Sequence, residues 1–354
     1  MKTWDAIVVG GGIIGVSLAL ALRRRGLHVL VVERGEPGRE SSHAAAGMLA
    51  DCLGETPAPL HPFATASARM YPEFVAELRD ESGIDPDLRE QGTLLLGAPG
   101  EVENAAAERL TSAQLTQCEP FLAADNLAAA RLHERSVDPR ALMAAAIKAA
   151  KHRGVDFASG AEVTGVIRAN SHIEGVTTSK TTYHAATVVN CAGAWAGQIS
   201  PHHFPTRPVK GQMLSVVGQS VLKHVVRSPE VYLVPRSDGR ILIGATVEDA
   251  GFNKRTDSET IHRLHQAALR LLPRLAEARI LEDWAGLRPG TPDDLPILGA
   301  TSTPGYFVAT GHYRNGILLA PVTAEAMTQV ITGTPAYDLS AFSPQRFAET
   351  RRLA

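Results

Sequence analysis

The first 34 residues carry the hydrophobic pattern of a strand, a helix and a second strand. Residues 6–9 form an uninterrupted apolar run with β-branched side chains, which is typical of a strand buried in a parallel sheet. After three glycines, residues 13–22 are apolar on all sides, as in a helix that packs on a sheet, and three arginines followed by Gly26 mark its end. Because residues 29–32 repeat the strand pattern, we predict a β-α-β unit.

Helical and strand patterns alternate through the rest of the chain. Further helices are predicted over residues 63–82, 141–152, 260–272 and 316–331. Further strands are predicted over residues 91–97, 155–168, 172–179, 187–190, 212–217, 231–235 and 241–246. Asp138 and Pro139 suit the N-cap and the first position of the helix that follows them.

This order of elements predicts an α/β fold with two domains. We assign residues 1–85, 138–205 and 284–354 to a discontinuous, Rossmann-like nucleotide-binding domain. Strand patterns dominate elsewhere, so residues 86–137 and 206–283 are assigned to a second, β-rich (α+β) domain that covers the cofactor.

Composition excludes several classes of function. The 35 basic and 37 acidic residues give a net charge of −2, so the chain lacks the basic character of nucleic-acid-binding proteins. The sequence shows no run of about 20 apolar residues and no secretory signal pattern. Its three cysteines, Cys52, Cys118 and Cys191, are too few and scattered for a disulfide framework or a zinc cluster. We expect a cytoplasmic protein without a metal, a nucleic-acid partner or stable membrane insertion.

Three glycines and one acidic residue form a dinucleotide-binding pattern. Gly10, Gly12 and Gly15 follow the first strand and open the helix, and Glu33 ends the second strand. The glycines permit a tight turn, close approach of a pyrophosphate and close packing of helix on sheet, while Glu33 is expected to bind a ribose. The alternative, a turn that serves only packing, is disfavoured because strand, helix and carboxylate are all in place.

Two further segments rich in small residues follow predicted strands. Residues 41–48 (SSHAAAGM) would let the backbone run flat against a planar ring, with two hydroxyls to reach phosphate or ribitol oxygens. A flexible loop is the alternative for this segment. Residues 190–195 (NCAGAW) end a buried strand, where a doubly wound sheet faces its cofactor. Within this second segment we expect Cys191 to be a buried small residue rather than a reactive thiol.

Arginine-containing segments in the C-terminal part are the most specific feature of the sequence. Residues 284–292 read WAGLRPGTP and residues 311–321 read GHYRNGILLAP. Together with residues 44–49 (AAAGML) and 231–236 (VYLVPR), they resemble the D-amino-acid oxidase family of flavoproteins, and within it the glycine oxidase group of thiamine biosynthesis. The resemblance spans nearly the whole chain.

This resemblance implies that the nucleotide is FAD, so the two predicted domains become an FAD-binding and a substrate-binding domain. Some relatives tether flavin through a cysteine in the C-terminal half, but no cysteine follows Cys191, so we predict non-covalent FAD. The positions that match FAD contacts of the family are Gly10, Gly12, Ile13, Ile14, Gly15, Glu33, Arg34, Ser41, Ser42, Ala46, Gly47, Met48, Val163, Gly193, His312, Tyr313, Arg314, Asn315, Gly316, Ile317 and Leu318.

For the substrate, the resemblance implies that Arg314 binds a carboxylate, that Tyr232 shares this task and that Arg288 is a second substrate-binding arginine. A guanidinium suits this role because it grips a carboxylate through two parallel hydrogen bonds. From the residues alone, Tyr232 is equally a core tyrosine, and Arg288 a surface charge. We predict no catalytic side chain, since the flavin does the chemistry. His312 is expected to be structural, and Glu230 to lie at a solvated strand end rather than on a substrate amine.

The implied reaction is the oxidation of glycine, sarcosine and small D-amino acids by dioxygen. It yields a 2-oxo acid, ammonia and hydrogen peroxide, or an imine for thiazole synthesis in thiamine formation. By resemblance the enzyme is a homotetramer. A D-amino-acid dehydrogenase that passes electrons to a quinone is the alternative, although the sequence lacks a clear amphipathic anchor. A flavin-containing binding or assembly module is a third possibility.

Overall fold

The computed structural model describes residues 3–51, 56–102, 107–124, 127–169, 172–218 and 222–347. The strands in these ranges are β1 (Thr3–Val9), β2 (Val29–Glu33), β3 (Met48–Leu49), β4 (Thr93–Gly97), β5 (Glu108–Leu110), β6 (Ala128–Leu132), β7 (Arg135–Ser136), β8 (Asp156–Ser159), β9 (Val163–Ala169), β10 (His172–Thr178), β11 (Thr182–Asn190), β12 (Arg207–Val217), β13 (Val225–Arg227), β14 (Tyr232–Pro235), β15 (Arg240–Gly244), β16 (Arg279–Gly290), β17 (Ile297–Ala300) and β18 (Tyr306–Thr310). The α-helices are α1 (Ile13–Arg24), α2 (Ser41–Ala44), α3 (His61–Ser82), α4 (Ser112–Cys118), α5 (Pro139–His152), α6 (Ser258–Leu271) and α7 (Ala320–Thr332). Short 3-10 helices cover Ala58–Leu60, Gly193–Gln198, Pro273–Glu277, Ser340–Phe342 and Pro344–Phe347.

The first sheet is built around parallel strands. Its order is β17-β18-β11-β1-β2-β8, and β9 and β10 extend from β11 as an antiparallel layer. β18, β11, β1, β2 and β8 run parallel. Alternate residues of β1 face opposite sides: Ala6 and Val8 join the core made by α1, α3, α5 and α7, whereas Ile7 and Val9 join the core beneath β9 and β10. The fold is therefore a Rossmann-like α/β layer with β structure on its second face.

The second sheet is mainly antiparallel and has the order β16-β12-β15-β14-β13-β4-β6-β5. On one face, residues such as Leu214 and Ile243 pack against α6 through Leu264 and Ala268. The other face carries Met213 and is turned toward the segment that contains Ala46. One face of this sheet thus builds a core, and the other is available to line a cleft.

The structure confirms the predicted fold class and the N-terminal β-α-β unit, and it differs from the predicted elements at two places. Residues 155–168 form two strands, not one, because Gly160 adopts a φ of +65° and turns the chain between β8 and β9. The last helix begins at Ala320, not at residue 316. Residues 312–319 instead form turns with hydrogen bonds such as Asn315 N–H to the His312 carbonyl, and Pro321 suits the first helical turn.

No helix within the described ranges is both long and apolar enough to cross a membrane. Of the three cysteines, Cys52 lies outside the described residues, and Cys118 and Cys191 carry free thiols. The domain boundaries given above stay a prediction.

Candidate active site

A cavity of about 810 Å³ lies between the first sheet and the cleft-lining face of the second. Residues from most of the segments singled out in the sequence line it. The predicted site residues in its lining are Gly12, Ile13, Ile14, Ser41, Ser42, Ala46, Gly47, Met48, Gly193, Tyr232, Arg288, His312, Tyr313, Arg314, Asn315, Gly316 and Ile317. The predicted site residues outside the lining are Gly10, Gly15, Glu33, Arg34, Val163 and Leu318.

The glycine turn at the start of α1 is packed so closely that side chains are excluded. Gly10 has a φ of +109°, and a Cβ there would collide with the Cys191 carbonyl oxygen. A Cβ on Gly15 would collide with the Gly10 carbonyl oxygen, whereas a Cβ on Gly12 would lie 3.2 Å from Ser42 Oγ. Ser42 Oγ accepts a hydrogen bond from the Ile13 amide at 3.0 Å. The N-terminus of α1 therefore opens into the cavity, where its amide groups favour an anion.

The residues behind this turn support it. Glu33 accepts hydrogen bonds from the amides of Gly11 (2.8 Å) and Gly35 (2.9 Å), so its carboxylate fixes the turn, and its ribose contact stays a prediction. Arg34 stacks on the ring of Trp195 with its guanidinium carbon 3.6 Å from the ring centre. These contacts hold the carboxyl end of β2 against the end of β11.

Val163 and Leu318 lie in the core rather than in the cavity wall. Val163, the first residue of β9, is buried in the core between β9, β10 and the parallel strands. Leu318 is buried in the core formed with the helices of the first sheet. The Leu318 carbonyl accepts a hydrogen bond from Ser67 Oγ at 2.6 Å. Cofactor contact by either residue stays a prediction.

The small-residue segment 41–48 forms a wall that is pinned on both sides. Trp284 Nε1 donates to the Ala44 carbonyl at 3.1 Å, and a Cβ on Gly286 would collide with the side chain of Ala44. The buried Arg236 guanidinium donates to the Ala46 carbonyl, and burial lowers the pKa of Arg236 to about 10. These contacts disfavour the alternative of a flexible loop, because the second sheet holds the segment against the cavity.

The turn after β18 brings His312 and Arg314 to the same cavity. His312 is buried, its Nε2 lies 3.1 Å from Thr323 Oγ1, and burial lowers its pKa to about 3. The imidazole is therefore neutral at physiological pH, as a structural hydrogen-bonding group would be. Arg314 is exposed at the rim, with its guanidinium carbon 5.2 Å from the centre of the Tyr313 ring.

Tyr232 and Arg288 lie on the cleft-lining face of the second sheet, each above a glycine. The strand register aligns Tyr232, Gly244 and Met213 across β14, β15 and β12. A Cβ on Gly244 would lie 2.8 Å from the Tyr232 hydroxyl, and a Cβ on Gly211 would collide with the Arg288 guanidinium. The missing side chains let the two groups lie flat and approach each other over the sheet.

The electrostatics of this pair suit an anionic ligand. Arg288 Nη1 donates to the carbonyls of Thr246 (3.0 Å) and Lys210 (3.4 Å), and within the described ranges it forms no ion pair with a carboxylate. Burial raises the pKa of Tyr232, although the charges of Arg288 and Arg227 act in the opposite direction, so the phenol stays protonated. A guanidinium with its charge uncompensated beside a phenol donor is suited to bind a carboxylate.

A polar network behind Arg288 fixes the carbonyls that it uses. Gln212 donates from its backbone amide to Thr246 Oγ1 (2.8 Å) and from its side chain to Glu248 Oε1 (2.8 Å), and Thr246 also donates to Glu248. Lys210 Nζ lies 3.4 Å from Glu248 Oε2. Burial acts to raise the pKa of Glu248, but these hydrogen bonds and the Lys210 charge hold it below its usual range.

Two residues lie where the sequence analysis expected them, and one site residue was missed. Glu230 is exposed and pairs with Arg270, in agreement with a solvated strand end. Cys191 is buried, and burial raises the pKa of its thiol. Sequence reasoning missed Arg227, which ends β13 and lines the cavity. Its only signal was an arginine after two valines in a short strand.

Among the described residues, no group of three or more His, Cys, Asp or Glu side chains could hold a metal ion.

The cavity fits a dinucleotide. It joins a glycine turn that a side chain would fill, the N-terminus of α1 and a wall of small residues. The first turn of α1 contains no acidic residue, so no fixed negative charge competes with a phosphate there. Toward its other end the cavity reaches Tyr232 and Arg288, which places a carboxylate site within the same space.

Known proteins are similar to this chain in sequence and in structure. The bifunctional protein ThiO/ThiG of Trichormus variabilis is 37% identical over 346 residues, which cover 93% of this chain and 53% of that protein. The chain thus spans about half the length of this relative. Glycine oxidase of Pseudomonas aeruginosa is 33% identical over 360 residues, which cover 96% of this chain and 98% of that enzyme.

The structural comparison covers nearly all of both chains. The crystal structure of glycine oxidase from Geobacillus kaustophilus has a TM-score of 0.93 and 32% identity, covering 98% of this chain and 99% of that one. The family model described as DAO, FAD dependent oxidoreductase, matches residues 5–330. With the dinucleotide cradle and the carboxylate site in one cavity, the chain belongs to the DAO family of FAD-dependent oxidoreductases.

Proposed function

We propose that this enzyme oxidises glycine, and also sarcosine and small D-amino acids, with dioxygen as the electron acceptor. Hydrolysis of the imine gives a 2-oxo acid and ammonia from glycine and primary D-amino acids, or methylamine in place of ammonia from sarcosine, and dioxygen is reduced to hydrogen peroxide. One observation carries the proposal: Tyr232 and Arg288 converge over two glycines in the cavity that also contains the dinucleotide turn. Relatives named glycine oxidase match over almost their full length, which supports the same substrate.

Bound FAD supplies the hydride acceptor for the α-carbon and the reaction with dioxygen. The chain itself positions the substrate. Arg288 and Tyr232 bind the carboxylate, and the fork of the guanidinium sets the orientation of the α-carbon. The His312 imidazole is neutral at physiological pH, and because burial lowers its pKa to about 3 it is too weak a base to take the proton of the amine, so the amine arrives neutral or loses its proton to water.

The contacts favour Arg288 over Arg314 as the main carboxylate anchor. Arg288 is partly buried, lies flat over Gly211 and faces the Tyr232 hydroxyl, whereas Arg314 is exposed at the rim. A partly desolvated guanidinium binds a carboxylate more strongly than one in water. We therefore assign the anchor to Arg288 and Tyr232, and a guiding role at the cavity mouth to Arg314.

The cofactor would be held without a covalent bond by the α1 N-terminus, the glycine turn and the 41–48 wall. Cys191 is buried, burial raises its pKa, and the chain has no later cysteine. Acid precipitation of the purified protein should release its yellow chromophore into the supernatant. Flavin that pellets with the protein would contradict non-covalent binding.

We propose that the enzyme supplies an imine for thiazole synthesis in the cell. The support is the relative named bifunctional protein ThiO/ThiG, of which this chain matches about half the length. A homotetramer in the cytoplasm is proposed from the family resemblance alone.

Oxygen consumption and peroxide formation with glycine, sarcosine, D-alanine and D-proline test the activity. We expect turnover of glycine and anaerobic bleaching of the flavin absorbance when glycine is added. Bleaching by glycine with reduction of a dye but no peroxide would indicate a dehydrogenase. A flavin that no amino acid reduces would reject enzymatic amine oxidation.

A further inference from the structure

A third arginine lies beside the carboxylate site that the proposed function uses. Arg227 ends β13 and pairs directly with Tyr232 of β14, so their side chains project from the same face of the sheet. Arg288 lies on β16, which is on the other side of β14 in the order of the strands. Both arginines line the cavity, and Tyr232 lies between them.

The Arg227 guanidinium has hydrogen-bonding capacity to spare. Its Nη1 is buried and donates no hydrogen bond to a described residue, and the carboxylate oxygen Oε2 of Glu134 is 4.0 Å away. Arg288, by contrast, is held by the Thr246 carbonyl at 3.0 Å. An arginine whose fork is not satisfied by the protein is suited to bind an anion from the cavity.

A buried carboxylate, Glu134, lies beside this arginine. The Glu134 side chain is fully buried, so its carboxylate needs a nearby cation, and Arg227 supplies it. The charge of Arg227 also acts on the Tyr232 hydroxyl, which places it within electrostatic reach of the bound substrate. Arg227 is thus a fixed positive charge next to the carboxylate site, not a mobile surface residue.

We propose that Arg227 binds a second acidic group, so that the pocket accepts amino acids that carry two carboxylates. This inference rests on the proposed function, since it assumes that Arg288 and Tyr232 hold the first carboxylate. Arg227 and Tyr232 lie on paired strands about 5 Å apart, so a ligand whose first carboxylate reaches the Tyr232 hydroxyl can bring a second carboxylate, a few bonds away, to Arg227. Iminodiacetate, which is glycine with a carboxymethyl group on nitrogen, and D-aspartate have this form.

Steady-state kinetics of the holoenzyme with glycine, sarcosine, iminodiacetate and D-aspartate test the inference. In Arg227→Gln, kcat/KM for the two dicarboxylic substrates should fall about tenfold or more relative to that for glycine, the scale of a lost charged contact. Arg227→Lys keeps a charge beside Glu134 but loses the fork, so it should fold and show a smaller loss of the same kind. Arg270→Gln, which removes an exposed arginine that pairs with Glu230 outside the cavity lining, is the matched control and should leave the ratio of the substrates unchanged.

Ligand binding separates this inference from the proposed activity. Malonate and acetate are titrated against the oxidised holoenzyme, and the perturbed flavin spectrum reports binding without turnover. We expect malonate to bind about tenfold more tightly than acetate, to lose that advantage in Arg227→Gln and to keep part of it in Arg227→Lys. Equal affinity for malonate and acetate, or an equal loss of glycine and iminodiacetate turnover in the variants, would overturn the second acid site. Absence of glycine turnover with the malonate preference intact would reject only the proposed oxidase activity.

Discussion

Arg288 donates its hydrogen bonds to two carbonyl oxygens and pairs with no carboxylate in the described part of the chain. Carbonyl partners orient a guanidinium but leave its net charge for a ligand. Gly211 and Gly244 provide the space in which Arg288 and Tyr232 lie flat. At the scale of residues, the chemistry of the site therefore depends on a few charged groups and on the side chains that are missing beneath them.

Arg288→Ala should lower kcat/KM for glycine, because the carboxylate loses its anchor. The fall should correspond to about 2–4 kcal/mol of activation free energy. Arg314→Ala should also raise KM, but less, since Arg314 is exposed. Steady-state oxygen consumption of both variants gives the comparison. A loss in Arg314→Ala as large as that in Arg288→Ala would return the main anchor to Arg314.

Gly12→Val should yield protein without flavin. A branched side chain there would press on Ser42 Oγ, which a Cβ alone approaches to 3.2 Å, and it would fill the space for a pyrophosphate. Flavin content is read from the absorbance of the purified variant, and circular dichroism checks that it is folded. A folded, yellow Gly12→Val protein would remove the glycine turn from the cofactor site.

At the scale of elements, the register between β12, β15 and β16 assembles the substrate face. Hydrogen bonds among Gln212, Thr246 and Glu248 link β12 to the segment after β15. Arg288 is then oriented by its hydrogen bonds to the Thr246 and Lys210 carbonyls. Because these residues meet through strand pairing, a shift of one residue in register would turn Arg288 to the opposite face.

Glu248→Gln should raise KM for glycine at neutral pH with little change in kcat, since the network positions Arg288 rather than contacting the reacting atoms. Glu108→Gln on β5 is the matched control, because it removes an exposed ion pair with Arg131 of β6. An unchanged KM in Glu248→Gln would show that the network does not position Arg288.

Stability should show the ionisation of Glu248 directly. Its pKa is lowered in the folded protein, so its contribution is present above the unfolded pKa of about 4.3 and is lost as the pH falls through the folded pKa. The difference in urea midpoint between the parent protein and Glu248→Gln should shrink below pH ~4.3. A difference that grows in acid would contradict the lowered pKa.

Sequence patterns predicted the local elements well and the convergence of the site only through resemblance. The β-α-β unit follows from residues adjacent in the chain, and the Asp138 cap forms as expected. Arg288 meets the Lys210 carbonyl across 78 residues, and no local periodicity encodes that register. Arg227 was missed because a cavity between two sheets, not its own neighbours in the sequence, decides its surroundings.

At the scale of the whole molecule, a loop of the second sheet reaches across to the first. Phe252, which follows β15, lies 5.2 Å from Trp195 between ring centres, and Arg34 stacks on the same Trp195 ring. Lys254 Nζ pairs with Glu40 at 3.1 Å. These contacts join the substrate side to the cofactor side near the carboxyl end of β2.

Phe252→Ala should therefore accelerate FAD dissociation, because the loop no longer packs against the cofactor side. The recovery of flavin fluorescence on dilution of the holoenzyme measures this rate. Phe121→Ala is the matched control, since Phe121 is also an exposed phenylalanine but its ring contact is with Arg274 and not with Trp195. Equal rates in the two variants would exclude a role for the loop in retaining FAD.

The glycines under Tyr232 and Arg288 also limit how this enzyme can diversify. Any side chain at Gly211 or Gly244 would displace the groups that hold the substrate acid. Changes of substrate must therefore come from residues around Gly211 and Gly244, such as the charged Arg227 beside Tyr232. A lineage descended from this chain would be free to exchange the arginine while its glycines stay invariant.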